Sequence, residues 1–184
     1  ISNASCTTNC LATVLKVLED SIGIKQCTFT PIHAYTADQN LVDGPHKDLR
    51  RARAAATNII PTTSGADIAV VQAIPSLQNK VRGFAIRVPV ASGSVTDFTI
   101  EVKKDTTSEE INSLLQKAAS KGLKGIIQYS TDELVSSDII HNPYSSIIDS
   151  KLTTVVNKRT VKIIAWYDNE WGYSCRMVDM IKLL

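Results

Sequence analysis

The sequence predicts an α+β fold: a mixed, mainly antiparallel sheet with helices on one face. Three observations carry that expectation. Strand signals that follow one another like hairpins outnumber strand–helix–strand crossovers, which favours antiparallel neighbours. A length of 184 residues fits one domain of packed layers and leaves no room for two independent catalytic units. None of the eight glycines falls in a G-x-G-x-x-G after a strand, so a doubly wound dinucleotide-binding unit is not encoded here. Hydrophobic residues at 43% and charged residues at 21% are ordinary globular usage, which sets aside disordered, collagen-like and membrane classes. No apolar run approaches the ~20 residues of a transmembrane helix. A net charge of +2 is too small to single out an anionic polymer, so neither a membrane nor nucleic acid is expected as the primary partner.

The first helix is expected from about Cys6 to Ile22. Leu11, Val14, Leu15, Leu18 and Ile22 recur at helical spacing, Ser5 or Asn3 stands where a cap belongs, and Gly23 stops the run. Next, Cys27, Phe29, Pro31, His33 and Tyr35 alternate with Thr28, Thr30, Ile32, Ala34 and Thr36, the period of a strand, with Pro31 arguing for an edge or a bulge. That period sends His33 and Thr36 to opposite faces. Residues 38–63 show little strand character and hold Gly44-Pro45 and the basic run Arg50-Arg51-Ala52-Arg53; loops of this length are usually functional.

A short helix should start at Pro61-Thr62-Thr63-Ser64-Gly65, use Ile68, Val71 and Ile74 as its apolar side, and end before Pro75. Strands over 81–90 and 95–103 follow, joined by a turn at Ala91-Ser92-Gly93. Thr107-x-x-Glu110 is a capping box for a third helix, with Ile111, Leu114, Leu115 and Ala118 as its buried side and Gly122 at its end. The remaining strands are expected over 125–129, 145–149, 152–157 and 160–167, before a last helix over 170–184. On that helix Tyr173, Met177, Met180, Ile181 and Leu184 form an apolar stripe that predicts self-association when uncovered.

Cys6 stands at the first turn of a helix, where free backbone N–H groups and the helix dipole favour a thiolate. An imidazole beside it would serve as acid or base, and His33 is the best partner in the chain. Position alone also fits an inert cysteine and a core histidine. A metal site from Cys6, Cys10 and His33 lacks a second ligand pair, so none is expected. A Cys6–Cys10 disulfide is disfavoured because residues four apart on a helix hold their Cβ atoms about 5–6 Å apart, against the ~3.5–4.5 Å required. Four cysteines suit a reducing compartment.

Thr62-Thr63-Ser64-Gly65 offers hydroxyls and a backbone N–H at a helix start, fit either for an anion or for a plain Ser64–Asp67 capping box. Arg87 lies mid-strand on the face that also carries Gly83 and Ala85, whose small side chains leave space, as in an anion clamp. Asn169, where the last strand gives way to a helix, either presents its amide to a ligand or caps that helix.

Taken together, Ser2-Asn3-Ala4-Ser5-Cys6-Thr7-Thr8-Asn9-Cys10, His33-Ala34-Tyr35-Thr36 and Trp166-Tyr167-Asp168-Asn169-Glu170 closely resemble the phosphorylating glyceraldehyde-3-phosphate dehydrogenases. The resemblance runs in order over the whole chain. It implies that residues 1–184 are the catalytic domain, that the N-terminal Rossmann cofactor domain is absent from this chain, and that the fold is that family's C-terminal one. It implies Cys6 as the nucleophile that forms a thioester and His33 as its acid–base partner. Thr36, Asp38 and Arg87 would hold the substrate phosphate; Ser5, Thr7, Ser64 and Gly65 would hold the attacking phosphate, with Arg51 nearby. Asn169 and Tyr173 would meet the nicotinamide of NAD, which the missing domain mostly binds.

Glyceraldehyde 3-phosphate and inorganic phosphate are the implied substrates, a cytoplasmic homotetramer the implied assembly, and the loop with Asp43, Gly44 and Pro45 a contact between subunits. Gly44-Pro45 resembles the NAD-using type. Ser64 and Asp67 depart from the family pattern, the second by placing a charge one turn into the helix at the attacking-phosphate site. Without the cofactor domain the chain would lack dehydrogenase turnover while keeping a reactive Cys6. Competing readings are an erythrose-4-phosphate dehydrogenase, a thiol protein acting without NAD and a non-catalytic interaction domain. The opening Ile1-Ser2-Asn3, with no Met and no signal sequence, reads as a cut piece.

Overall fold

Thirteen regular elements organise the computed structural model of the chain, which describes residues 1–183. In chain order they are α1 (Cys6–Ser21), β1 (Ile24–Ala34), β2 (Ile60–Thr62), α2 (Ala66–Ala73), β3 (Val81–Gly83), β4 (Ala85–Val88), β5 (Ser94–Val102), α3 (Ser108–Ser120), β6 (Ile127–Ser130), β7 (Ser146–Asp149), β8 (Thr154–Val156), β9 (Thr160–Tyr167) and α4 (Trp171–Ile181). The strands form one sheet in the order β2-β4-β1-β5-β9-β7-β6, with β3 beside β1 and β8 beside β9. The pairings β1–β5, β2–β4, β5–β9, β7–β9 and β8–β9 are antiparallel, while β1–β3, β1–β4 and β6–β7 are parallel. This is the mixed, mainly antiparallel α+β sheet that the strand spacing predicts.

The core forms where α1, α2 and α3 lie against the sheet. Leu11, Val14, Leu15 and Leu18 of α1 are fully buried and meet Phe29, Phe98, Ile100, Ile163 and Tyr167 from the strands. Each such side chain removed from water contributes about 1.5–3 kcal/mol. Ser5 starts α1 from an extended backbone, its Oγ accepting the Thr8 N–H at 3.1 Å. Gly23, at φ +71°, turns the chain directly into β1, a conformation that disfavours any side chain. The capping box of α3 is present: the Thr107 hydroxyl accepts from the Glu110 N–H, and the Glu110 carboxylate accepts from the Thr107 N–H.

Several expectations change. β1 lies inside the sheet, not at its edge, and runs 24–34 instead of 27–36. Pro31 is accommodated because the parallel ladder is interrupted between the pairs Phe29↔Gly83 and Ile32↔Ile86, so no partner awaits the missing N–H there. The same interruption at Phe84 splits the expected strand over 81–90 into β3 and β4. β2, inside the region read as loop, pairs with β4. Helix α2 begins at Ala66 after the Pro61–Gly65 segment, and α4 ends at Ile181. Three later strands are shorter by one or two residues at their starts. Met177 and Ile181 of the expected apolar stripe are exposed, whereas Leu184 lies outside the described residues.

Candidate active site

Cys6 and His33 meet. The first turn of α1 presents the Cys6 thiol, the end of β1 presents the His33 ring, and Sγ lies 3.3 Å from Nε2. His33 is 3% exposed, and its Nδ1 lies 2.7 Å from the Ala34 carbonyl oxygen. A carbonyl can only accept, so Nδ1 carries the proton of the neutral ring and the Nε2 lone pair faces the thiol. Burial, with a smaller push from the Arg87 cation, brings the His33 pKa down to about 4. The imidazole is therefore an unprotonated base at neutral pH.

The thiol departs from the helix-start expectation. Burial raises the Cys6 pKa above its ordinary value, and the Thr7 N–H, the Thr7 hydroxyl and Arg87 pull it back without reversing the shift. A neutral thiol beside a neutral imidazole is the resting pair, with the proton placed to pass from sulfur to nitrogen as bonding begins. Cys10, one turn further along α1, is fully buried and burial raises its thiol as well; Cys27 is pushed up to about 12 by the same cause. All four cysteines are free.

Arg87 of β4 is the register partner of His33. Its Nη1 donates to the Ala34 carbonyl at 3.1 Å and to the Thr36 Oγ1 at 3.0 Å, while its Nε is buried without a partner. The strand period that sent His33 and Thr36 to opposite faces ends at Ala34, and the turn that follows brings Thr36 back to Arg87. Asp38, in the same turn, is ion-paired with Arg51, which holds its carboxyl below the ordinary range. Arg51 also donates from Nε to the Thr62 hydroxyl at 2.8 Å and from Nη2 to the Thr63 carbonyl at 3.3 Å. It thus joins the two segments read as phosphate-binding. Gly83 does not leave space for a ligand: a Cβ there would stand 2.4 Å from the Phe29 carbonyl oxygen, so its bareness serves strand packing.

On the α2 side, the Ser64 Oγ accepts from the Ala66 N–H at 3.3 Å, and nothing lies within 4 Å of a Cβ built on Gly65. The expected Ser64–Asp67 capping box is not formed; the cap position is Gly65, without a side-chain bond. Asp67 turns instead to Arg82, at 3.3 Å. A cleft of ≈ 750 Å³ runs past Thr62, Thr63 and Ser64 to Ile68 and Phe84, and neither Cys6 nor His33 lines it. The Ser5 hydroxyl caps α1, and the Thr7 hydroxyl lies 2.9 Å from that of Tyr167.

Asn169 does not cap α4. Asp168 does, its Oδ1 accepting from the N–H groups of Glu170 and Trp171, both at 2.9 Å. The Asn169 Oδ1 accepts from the Ser94 hydroxyl at 2.9 Å and the Gly93 N–H at 3.2 Å, which turns its N–H donors the other way. Ser94 in turn accepts the Ala34 N–H at 3.2 Å, linking Asn169 to the strand end that holds His33. The Tyr173 hydroxyl donates to the Ala4 carbonyl at 3.4 Å, two residues before Cys6. Sequence reasoning missed Tyr167 and Ser94. The Tyr167 ring stands edge-on to His33 at 6.0 Å; strand alternation could have marked it as inward-facing, but nothing local signals Ser94.

A thiol in contact with an unprotonated imidazole, with Arg87 and Arg51 close by on an α+β sheet, can supply a nucleophile and its base next to cationic groups. Residues 5–169 match the family described as glyceraldehyde 3-phosphate dehydrogenase, C-terminal domain, and the chain belongs to that family. It is 56% identical over all 184 residues to a glyceraldehyde-3-phosphate dehydrogenase of Mycobacterium avium, covering 54% of that protein. To that of Mycobacterium tuberculosis (strain ATCC 25618 / H37Rv) it is 55% identical over the same span, again covering 54% of the relative. With glyceraldehyde-3-phosphate dehydrogenase 2 of Bacillus subtilis it shares 52% over 182 residues, 99% of this chain and 54% of the other. The chain spans about half the length of these relatives. No helix among the described residues is long and apolar enough to cross a membrane.

Proposed function

We propose that the chain is the catalytic part of an NAD-dependent, phosphorylating glyceraldehyde-3-phosphate dehydrogenase. The 3.3 Å contact of Cys6 Sγ with the unprotonated Nε2 of His33, beside Arg87, carries this reading. Sulfur attacks the aldehyde carbon, and Nε2 takes the thiol proton, for which its tautomer is already set. NAD, if held at its nicotinamide by Asn169, would supply the hydride acceptor that turns the thiohemiacetal into a thioester. Inorganic phosphate then splits the Cys6 thioester, giving an acyl phosphate and restoring the thiol.

The substrate phosphate is assigned to Thr36 and Arg87, with Asp38 held to Arg51 beside them. The attacking phosphate is assigned to Ser5, Thr7, Ser64 and Gly65, where the N-termini of α1 and α2 favour an anion. Asn169 fits the nicotinamide amide because Ser94 and Gly93 occupy its oxygen and leave its N–H groups to donate; Tyr173 lies on the same side of the nucleophile. Exposed Leu41, Val42 and Leu49 in the loop that follows β1 support a homotetramer, with that loop at a subunit contact. The reading places the enzyme in the cytoplasm.

The test is NAD reduction by the full-length protein that carries this chain. Turnover of glyceraldehyde 3-phosphate that requires phosphate and disappears on Cys6→Ser is the expected outcome. Turnover independent of phosphate, or faster on erythrose 4-phosphate, overturns it.

A further inference from the structure

We propose that Gln39 is a positioning residue for the substrate phosphate, acting through Thr36; the inference rests on the reading of Thr36 and Arg87 as the groups that grip that phosphate. Gln39 is 5% exposed, although Ala37 and Asp38 before it are open to solvent. It grips both polar atoms of the Thr36 backbone: its Oε1 accepts the Thr36 N–H at 3.3 Å, and its own N–H donates to the Thr36 carbonyl at 2.9 Å. Its Nε2 is buried without a partner. The amide orientation follows from chemistry, since the Thr36 N–H can only donate and the atom facing it must be the oxygen. A methionine or leucine would fill the same space without burying an unpaired donor. The amide is there for its oxygen.

That oxygen fixes the turn of residues 36–39, and the turn fixes the Thr36 hydroxyl against Arg87. Thr36 Oγ1 accepts from Arg87 Nη1 at 3.0 Å, so its own O–H is left to donate outward to an anion held by the guanidinium. His33 and Cys6 are secured by other bonds, to the Ala34 carbonyl and to each other, and none of these passes through Gln39. Loss of the Gln39 oxygen therefore weakens phosphate binding and leaves the thiol chemistry as it was.

The test uses the full-length protein that carries this chain, with glycerol 3-phosphate, which carries the phosphate and cannot react with the thiol, and reads its protection of Cys6 against iodoacetamide. Gln39→Met should raise the concentration needed for protection about tenfold, the order expected for a lost hydrogen bond to a buried donor. The alkylation rate without ligand, and its pH profile, should not change. Thr36→Val should weaken protection too, and adding Gln39→Met to it should cost nothing further, because the group that Gln39 positions is gone. Gln39→Asn, with its amide drawn back by one methylene, should show the same coupling if the methionine variant does not fold. Unchanged protection in Gln39→Met, additive losses in the double variant, or a shifted pH profile overturns the proposal. Unchanged protection in Thr36→Val, or none in the unsubstituted protein, overturns instead the phosphate reading on which it rests.

Discussion

His33 and Arg87 reach the same oxygen. They are register partners on adjacent parallel strands, and the carbonyl of Ala34 accepts from His33 Nδ1 at 2.7 Å and from Arg87 Nη1 at 3.1 Å. One carbonyl thus orients the imidazole and anchors the guanidinium, which holds the two groups in fixed relation. The cation beside the ring also helps keep the imidazole neutral.

His33→Asn should slow Cys6 alkylation by iodoacetamide at pH 7 by about 100-fold, the lower end of the range for a lost general base. Mass spectrometry that resolves Cys6 from Cys10, Cys27 and Cys175 makes the measurement. An unchanged rate would show that the thiol is activated by something other than the imidazole.

The chain should lose stability on mild acidification because of His33. Its folded pKa of about 4 lies below the ordinary 6.5, so between these values the unfolded chain binds a proton that the folded chain does not. Stability therefore falls as pH drops through that window, by about 3 kcal/mol for a shift of this size. Urea unfolding between pH 7 and 4 should show this slope, and His33→Asn should flatten it.

Gly83→Ala should destabilise the fold by about 1–3 kcal/mol, the usual cost of overpacking. The new Cβ would stand 2.4 Å from the Phe29 carbonyl oxygen, a backbone atom held in the neighbouring strand. Chemical denaturation reads the loss; a neutral result would mean that β3 moves away from β1 at little cost.

The exposed face of α4 should make the chain self-associate. Met177 is 43% exposed, Val178 51% and Ile181 66%. Light scattering at rising concentration should detect oligomers, and Val178→Lys with Ile181→Lys should reduce them. A monodisperse unsubstituted chain would contradict the expectation.

Helix periodicity reads α1 and α3 almost to the residue, because the capping hydroxyls of Ser5 and Thr107 and the buried leucines all act locally. Strand limits are less legible. Pro31 argues for an edge or a bulge on its own, and only the interruption in the partner ladder lets it sit inside the sheet. At the site, residue types and order indicate Cys6, His33 and Arg87, whereas the electrostatic balance at Cys6 depends on burial that no local pattern encodes. The choice left open at Asn169, ligand amide or cap, is settled against the cap for the same reason: adjacent residues with near-identical side chains are sorted by what faces them, here His141 for Asp168 and Ser94 for Asn169.

The hydroxyl pair of Thr7 and Tyr167 spans 160 positions of the chain. While the protein is being synthesised, the first helical turn emerges long before the strand that braces it, so the thiol next to Thr7 must wait for nearly the whole chain before its surroundings close. His33, only 27 positions after Cys6, is made early, so the base precedes the strand that closes around the pair. Closure around Cys6 is thereby made a late event, and a chain that stalls before residue 167 has made the thiol and the imidazole but not the Tyr167 wall beside them.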